Sequence, residues 1–451
     1  MGNILREYEL NDATWFYLSL LLILAVFFRF NRVLSLRNLD LALLLSIAPG
    51  LLLVQRGYNF GYGWLFVVTG CLLARLFSDS FWKRRPLLEQ NLNPAGMAFL
   101  AVSAFVFLVS SALTASPPRE TVKTVRRADE MLKRQDTTQG TAQEPPTTEE
   151  AQAGPTAPLL AAPVVTASGL VVSGGSPEPR DRWAVEQIAA RATAVLAHFA
   201  VVAGLWFLGK RLFGDANSGL AMATLYLLLP CTSMDVGKVN HVLPAALIVW
   251  ALVSYRNPLV SGGLLGLACG ALLFPLFLLP LWGVFYGKQG AGRFVLALGV
   301  VAAVLAGSLL LTSADSHSFT QQIRGSIDWS SLTLDKETLG FWSTHDGAYR
   351  IPVIVTFFVM LLTLTFLPRE KNLEHLLGHS TAIIVATQLW YPQQGGAYVL
   401  WYLPLLLAVM FRPKLTSQTP PVIVPAPSEE QQLTGPARQA VGISWFGRRG
   451  S

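Results

Sequence analysis

The residues best suited to chemistry in this 451-residue chain lie in three short polar stretches set among long apolar runs. The first reads Thr232-Ser-Met-Asp235-Val-Gly-Lys238-Val-Asn240-His241. The second, over 313–350, carries His317, Arg324, Asp328, Trp329, Trp342, His345, Asp346, Tyr349 and Arg350. The third reads Trp390-Tyr-Pro-Gln393-Gln394-Gly-Gly-Ala-Tyr398. A carboxylate such as Asp346 or Asp235 can take the proton of an acceptor hydroxyl. Arg350, Arg324 or Lys238 can neutralise the charge on a leaving phosphate. Asn240, His241, His345 and Gln393 supply further groups for holding a polar substrate. The spacing contains no zinc-type histidine cluster and no acidic metal cage. No cofactor is therefore implied, and a divalent metal is left open.

Each of these residues also has a purely structural reading. Asp346, three residues before Tyr349, could cap a helix, and Asp235 and Lys238 could pair across a turn. His241 could be an ordinary helix-end residue. His198, His375 and His379 read as packing or interhelical hydrogen-bond residues. Trp329, Trp342, Trp390 and Trp401 suit an interfacial aromatic belt, although tryptophans lining an outer groove would also stack on sugar rings.

The elements that must position these groups are hydrophobic helices. The chain is 52% hydrophobic and only 14% charged, with a mean hydropathy of +0.45, whereas soluble domains carry roughly 25% charge. Its apolar blocks have about the length that crosses a bilayer core. The expectation is an all-α polytopic transmembrane bundle with spans near 14–28, 40–55, 60–77, 95–115, 190–209, 217–233, 242–254, 259–273, 275–286, 293–312, 351–367, 374–390 and 397–411. The pair at 259–286 is the least secure, because Pro275 and Pro280 could instead kink one long helix. The net charge of +7 is spread beside the apolar blocks, which gives nucleic-acid binding no support. Cys71, Cys231 and Cys269 show no disulfide or metal pattern. The first apolar block lacks a small-residue cleavage site and reads as a retained anchor. Arg6 stands where myristoylation wants Ser or Thr.

Basic residues give the orientation. Arg29, Arg32 and Arg37 follow the first span, Arg75 and Lys83–Arg85 the third, and Lys210 and Arg211 the fifth. Arg256, Lys288, Arg293, Arg369, Lys371, Arg412 and Lys414 continue the pattern. Short cytoplasmic loops collect Lys and Arg, so the N-terminus is expected outside and the C-terminus in the cytoplasm. All three polar stretches then face outward. The expected organisation is a four-span unit over 1–115, an outer and mostly disordered loop over 116–182, a nine-span core over 183–413 and a disordered cytoplasmic tail over 414–451. Within the loop a helix is expected near Thr121–Lys133. Residues 181–191, with Trp183 among charges, could lie in the interface or begin the fifth span.

Part of the core resembles a known family. Arg191-Ala-Thr-Ala-Val-Leu, Trp206-Phe-Leu-Gly-Lys-Arg-Leu-Phe-Gly and Ala223-Thr-Leu-Tyr-Leu-Leu-Leu-Pro230 resemble the early core of GT-C membrane glycosyltransferases. Polyprenyl-phosphate-mannose-dependent mannosyltransferases are the nearest in pattern. Gly237-Lys-Val-Asn240 is similar to their Gly-Gln-x-Asn turn, and Gly262–Pro275 with Leu279-Pro280 to their Gly-rich, Pro-terminated pair. Tyr391-Pro392 and Tyr398–Pro404 resemble their closing outer turn and helix. The resemblance covers about 185–411 through loose, apolar motifs. It implies transfer of a sugar from a polyprenyl-phosphate carrier to an outer-face acceptor, with membrane lipid and the lipid-linked donor as partners and the cell inner or plasma membrane as location. Departures are present. Phe274 replaces a Lys before the proline, Lys238 replaces the Gln, and the family's catalytic acid lies in the first outer loop of the core. Among that loop's acids Asp129, Glu130, Asp136 and Asp181, Asp129 is the candidate because it falls in the helical stretch. The expected function is such a glycosyltransferase, if active, with Asp346, Asp235 and Asp129 as candidate catalysts. Two rivals stand beside it: a non-catalytic polytopic scaffold or assembly protein, and a transporter or flippase for a lipid-linked solute. The transporter would want mid-membrane charge and a repeat, yet only His198 sits centrally.

Overall fold

The computed structural model describes residues 12–81, 90–134, 154–172, 179–325 and 340–421, and every regular element among them is helical. In chain order these include α1 (Asp12–Phe27), α2 (Leu36–Leu45), α3 (Ile47–Gln55), α4 (Phe60–Phe77), α5 (Pro94–Thr114), α6 (Arg119–Lys133), α7 (Thr156–Val172) and α8 (Pro179–Leu208). They continue with α9 (Ala216–Leu228), α10 (Pro230–Met234), α11 (Val239–Val253), α12 (Pro258–Cys269), α13 (Leu279–Leu311), α14 (Ser316–Gly325), α15 (Arg350–Phe366), α16 (Leu373–Trp390) and α17 (Leu403–Phe411). Each of the thirteen apolar stretches is helical at least in part. Among the described residues, six helices are long and apolar enough to cross a membrane: Leu36–Gln55, Phe60–Phe77, Pro94–Thr114, Arg182–Phe213, Gly290–Leu311 and Gly347–Phe366. Of the others, α9, α12 and α17 are shorter than the expected spans, and caps and prolines fix where helices begin. Asn257 caps α12 by accepting from the Leu259 amide, with Pro258 in the first turn; Asn93 and Pro94 start α5 in the same way.

The doubtful region 259–286 is two short pieces rather than one long kinked helix. The 12 residues of α12 rise about 18 Å, short of a bilayer core of about 30 Å. A 3-10 turn at Phe274–Leu278 then leads into α13, which breaks again at Gly287, where φ is +58°. Segment 156–172, within the loop expected to be mostly disordered, is a second helix. This α7 packs with α6 and α8 around Val125, Ala128, Ala161, Val165, Ala189 and Ala190. The larger hydrophobic cluster draws on residues from Ile23 to Leu415, so the N-terminal helices and the core share one interior. Residues 1–11 and most of the expected tail lie outside the described residues.

One end of the bundle is tied by charge. The Arg75 guanidinium donates to both Asp40 oxygens at 2.6 and 3.0 Å and to Asp79 at 2.8 Å. Arg412, just after α17, donates to Asp79 at 2.9 Å and lies 3.1 Å from Glu374 at the start of α16. Burial pushes the Arg412 guanidinium down to about 10, with Glu374 opposing that shift, so it stays charged at neutral pH. The network joins α2, α4, α16 and the exit of α17. Removing one member leaves buried charge unpaired, at a cost of about 3 kcal/mol. Arg412→Ala is expected to lower the thermal unfolding midpoint of the detergent-solubilised protein clearly, with Arg412→Lys falling between. An unchanged midpoint for Arg412→Ala would show that the network contributes nothing.

Candidate functional site

At the opposite end of the bundle, the break between α5 and α6 builds the site. Pro117 and Pro118 cannot continue α5, and Pro118 becomes the cap residue of α6. Its ring sits over Gly237 so closely that a Cβ there would come within 2.5 Å of Pro118 Cδ. The first turns of α6 then grip the turn 235–241. Thr121 Oγ1 donates to the Gly237 carbonyl at 2.6 Å, and Thr124 Oγ1 donates to Asn240 Oδ1 at 3.1 Å. Glu120 is brought beside His241, with 3.6 Å between Glu120 Oε2 and His241 Nε2. Both carboxylate oxygens are buried, with no hydrogen-bond partner among the described residues.

His241 is held from three sides. The Trp401 indole donates to Nδ1 at 2.8 Å. That ring nitrogen is therefore an acceptor, and the neutral tautomer carries its proton on Nε2, towards Glu120. Tyr398 stacks on the imidazole with centroids 4.9 Å apart, and Trp401 stacks on Tyr398 at 4.4 Å. Phe274 completes the column against Trp401 at 4.5 Å. Burial alone would raise the Glu120 carboxyl, but His241 and Lys238 outweigh it and hold the group below the usual glutamate range. The position of Glu120 in the first turn of α6 also suits an anion.

Asp235, Lys238 and His241 open onto one pocket of about 60 Å³, together with Gln394, Leu51 and Val54. Lys238 and Asp235 pair across the turn at 3.0 Å. Of the three acids expected to act as catalysts, only Asp235 lines this pocket. Asp129 is partly exposed and paired with Lys133. Asp346 is exposed and accepts from the Ala348 amide at 3.0 Å, capping the 3-10 turn Gly347–Tyr349 that leads into α15 and not α15 itself. His345 is exposed, bonded through Nδ1 to the Phe341 carbonyl at 2.9 Å. Arg350 is buried and donates to the Trp390 carbonyl at 3.1 Å, and Arg324 is exposed on α14. Gln393 leaves its side-chain oxygen buried with no hydrogen-bond partner among the described residues, while its neighbour Gln394 reaches the pocket. Asn240 is buried against Thr124. Asp328 and Trp329 lie outside the described residues.

Of the four tryptophans expected in a belt or sugar platform, the three among the described residues form neither. Trp342, Trp390 and Trp401 are all buried, because the chain folds their stretches back into the core. His198 bridges the Tyr226 hydroxyl (2.9 Å) and the Val236 carbonyl (3.2 Å), the interhelical role read from its position. Among the described residues, no group of three or more potential ligands could hold a metal ion. The site residue missed in sequence is Glu120. The signal was there: Glu120, Thr121, Thr124, Val125 and Ala128 form the buried stripe of α6, and Asp129, nine residues on, falls on the opposite side of a 3.6-residue helix.

Because the folded state holds Glu120 below its usual range, the stabilisation it gives is present above the unfolded glutamate pKa and is lost as pH falls through the folded value. Glu120→Gln is expected to remove this acid-side loss in thermal unfolding; an unaltered pH profile would contradict the pairing. Gly237→Ala is expected to cost about 1–3 kcal/mol through the Pro118 clash, read as faster proteolysis within 119–133, and wild-type resistance would show that the contact is loose. Compared with protein-family models, curated proteins and solved structures, the chain gives no match.

Proposed function

We propose that the chain is a GT-C-like membrane glycosyltransferase that moves a hexose, mannose in the nearest resemblance, from a polyprenyl-phosphate carrier to an outer-face acceptor. The pocket shared by Asp235, Lys238 and His241 carries the reading. In this account the bundle spans the inner or plasma membrane some thirteen times, with N-terminus and pocket outside and C-terminus in the cytoplasm. The acceptor oxygen attacks the anomeric carbon, and the bond from that carbon to the phosphate oxygen breaks. Asp235 takes the hydroxyl proton, and Lys238 balances the charge that returns to the polyprenyl phosphate. Glu120 lies in the first outer loop, where the resembled family keeps its catalytic acid, but its contact is with His241. Its part is to fix the imidazole wall of the pocket.

Two observations favour the scaffold reading instead. Asp235 and Lys238 neutralise each other, and Phe274, where the family has a Lys, is spent in the aromatic column. Transfer from radiolabelled polyprenyl-phosphate sugar in proteoliposomes separates the two. Asp235→Asn is expected to lower the rate about 10²-fold or more, and Lys238→Met to lower it as well, while Asp129→Asn and Asp346→Asn stay near wild type. Absence of transfer by the wild-type protein would favour the scaffold, and full activity of Asp235→Asn would remove Asp235 as the base.

A further inference from the structure

Three cations of the described residues lie over aromatic rings, and all three meet at one corner of the bundle. Lys210 sits over Trp206 at 4.9 Å, Arg211 over Phe207 at 5.3 Å and Arg256 over Tyr255 at 5.9 Å. The framework that holds them is fixed. Lys210 and Arg211 belong to a π turn, Gly209–Phe213, that closes α8. Gly209 packs so tightly on Gly219 that a Cβ there would strike the Gly219 backbone. The Gln418 side chain donates to the Leu212 carbonyl at 2.8 Å and accepts from the Tyr255 hydroxyl at 3.2 Å. Arg256 Nε donates to that same hydroxyl at 3.3 Å. Gln418 thus ties the end of α8 to the turn after α11, and three exposed cations share the corner.

Their charge is not balanced locally. Among the described residues none of the three pairs with a carboxylate. Asp215, the nearest acid in sequence, spends its oxygens on the Asn217 and Ser218 amides and the Ser218 hydroxyl. Beyond residue 421 the chain carries three arginines against two glutamates, so the tail brings no excess of negative charge. The apolar span Arg182–Phe213 ends at this corner, which sets the cations at the level of lipid headgroups. Below them Trp206, Phe207 and Trp250 are half-buried, and Leu259 and Val260 at the start of α12 are exposed. Basic side chains at helix ends commonly reach for headgroups singly; here three converge from two helices with no acid among them. We infer that this corner binds an anionic phospholipid, its phosphate among Lys210, Arg211 and Arg256 and its acyl chains along Trp206 and Phe207. A soluble anion would meet the same cations and leave the rings uncovered. The inference needs only a bilayer around the bundle and is independent of the transferase reading.

The test uses the purified, delipidated full-length protein in a neutral detergent. It is titrated with phosphatidylglycerol, with phosphatidylcholine of the same chains and with glycerol phosphate, and bound molecules are counted by native mass spectrometry. Wild type is expected to bind phosphatidylglycerol at least about tenfold more tightly than either of the others. Lys210→Gln combined with Arg211→Gln is expected to lose at least about tenfold in that affinity, and Arg256→Gln alone about fivefold. Arg29→Gln combined with Arg32→Gln removes the same charge from exposed residues after α1 and is expected to keep wild-type affinity. Equal loss in the two double variants would reduce the effect to overall charge and overturn the site. So would wild-type affinity in Arg256→Gln, or glycerol phosphate binding as tightly as the lipid.

Discussion

The carboxylate of Glu120, buried against the imidazole of His241, is the interaction on which the polar end of the molecule depends. A buried carboxylate without compensating groups is costly, and where α6 docks, the Nε2 side of His241 and the Lys238 ammonium meet its first turn. That docking explains the other local features. Gly237 is needed because Pro118 lies over it, and the threonines at 121 and 124 satisfy a carbonyl and an amide that the turn would otherwise leave buried. Trp401, by donating to Nδ1, turns the remaining ring proton towards the acid. The pocket at Asp235 and Lys238 is shaped by this arrangement, although Glu120 itself does not reach it.

The far end of the bundle meets the same constraint by other means. Five charged side chains there neutralise one another between helices that are far apart in sequence. Lys210 over Trp206, at 4.9 Å, and Arg211 beside Phe207, at 5.3 Å, keep their charges at the edge of the apolar body, as long basic side chains do near a lipid headgroup layer. Between the two charged ends the core is mostly apolar, and His198 and Thr232 within it are hydrogen-bonded. Two polar ends joined by an apolar body is what a helical membrane protein requires.

Much of this was legible in the residues. Hydropathy alone located the helical stretches, since long apolar runs have few other ways to satisfy their backbone. The Asp235–Lys238 pair and the bonded state of His198 followed from spacing and position. What was not legible depended on tertiary burial. Trp390 and Trp401 look like interfacial residues in a sequence and become core because the 391–402 segment folds inward. Arg75 and Arg412 read as topological signals, yet they are spent in ion pairs. Helix α7 was obscured by Pro163 and by the Pro- and Thr-rich composition around it. No motif sets Glu120 apart from the other acids of the loop; only its place on the buried face of α6 does.

The docking of α6 on the turn before α11 is the claim most directly open to measurement. With Cys71, Cys231 and Cys269 replaced, cysteines at 124 and 240 take the places of two side chains whose oxygens lie 3.1 Å apart. Mild oxidation in native membranes is expected to join them, since a disulfide forms only between closely apposed Cβ atoms, and cysteines at 129 and 240 are expected to stay free. Cross-linking of 129 with 240 but not of 124 with 240 would mean that the opposite face of α6 meets the turn, and the site described above would not exist.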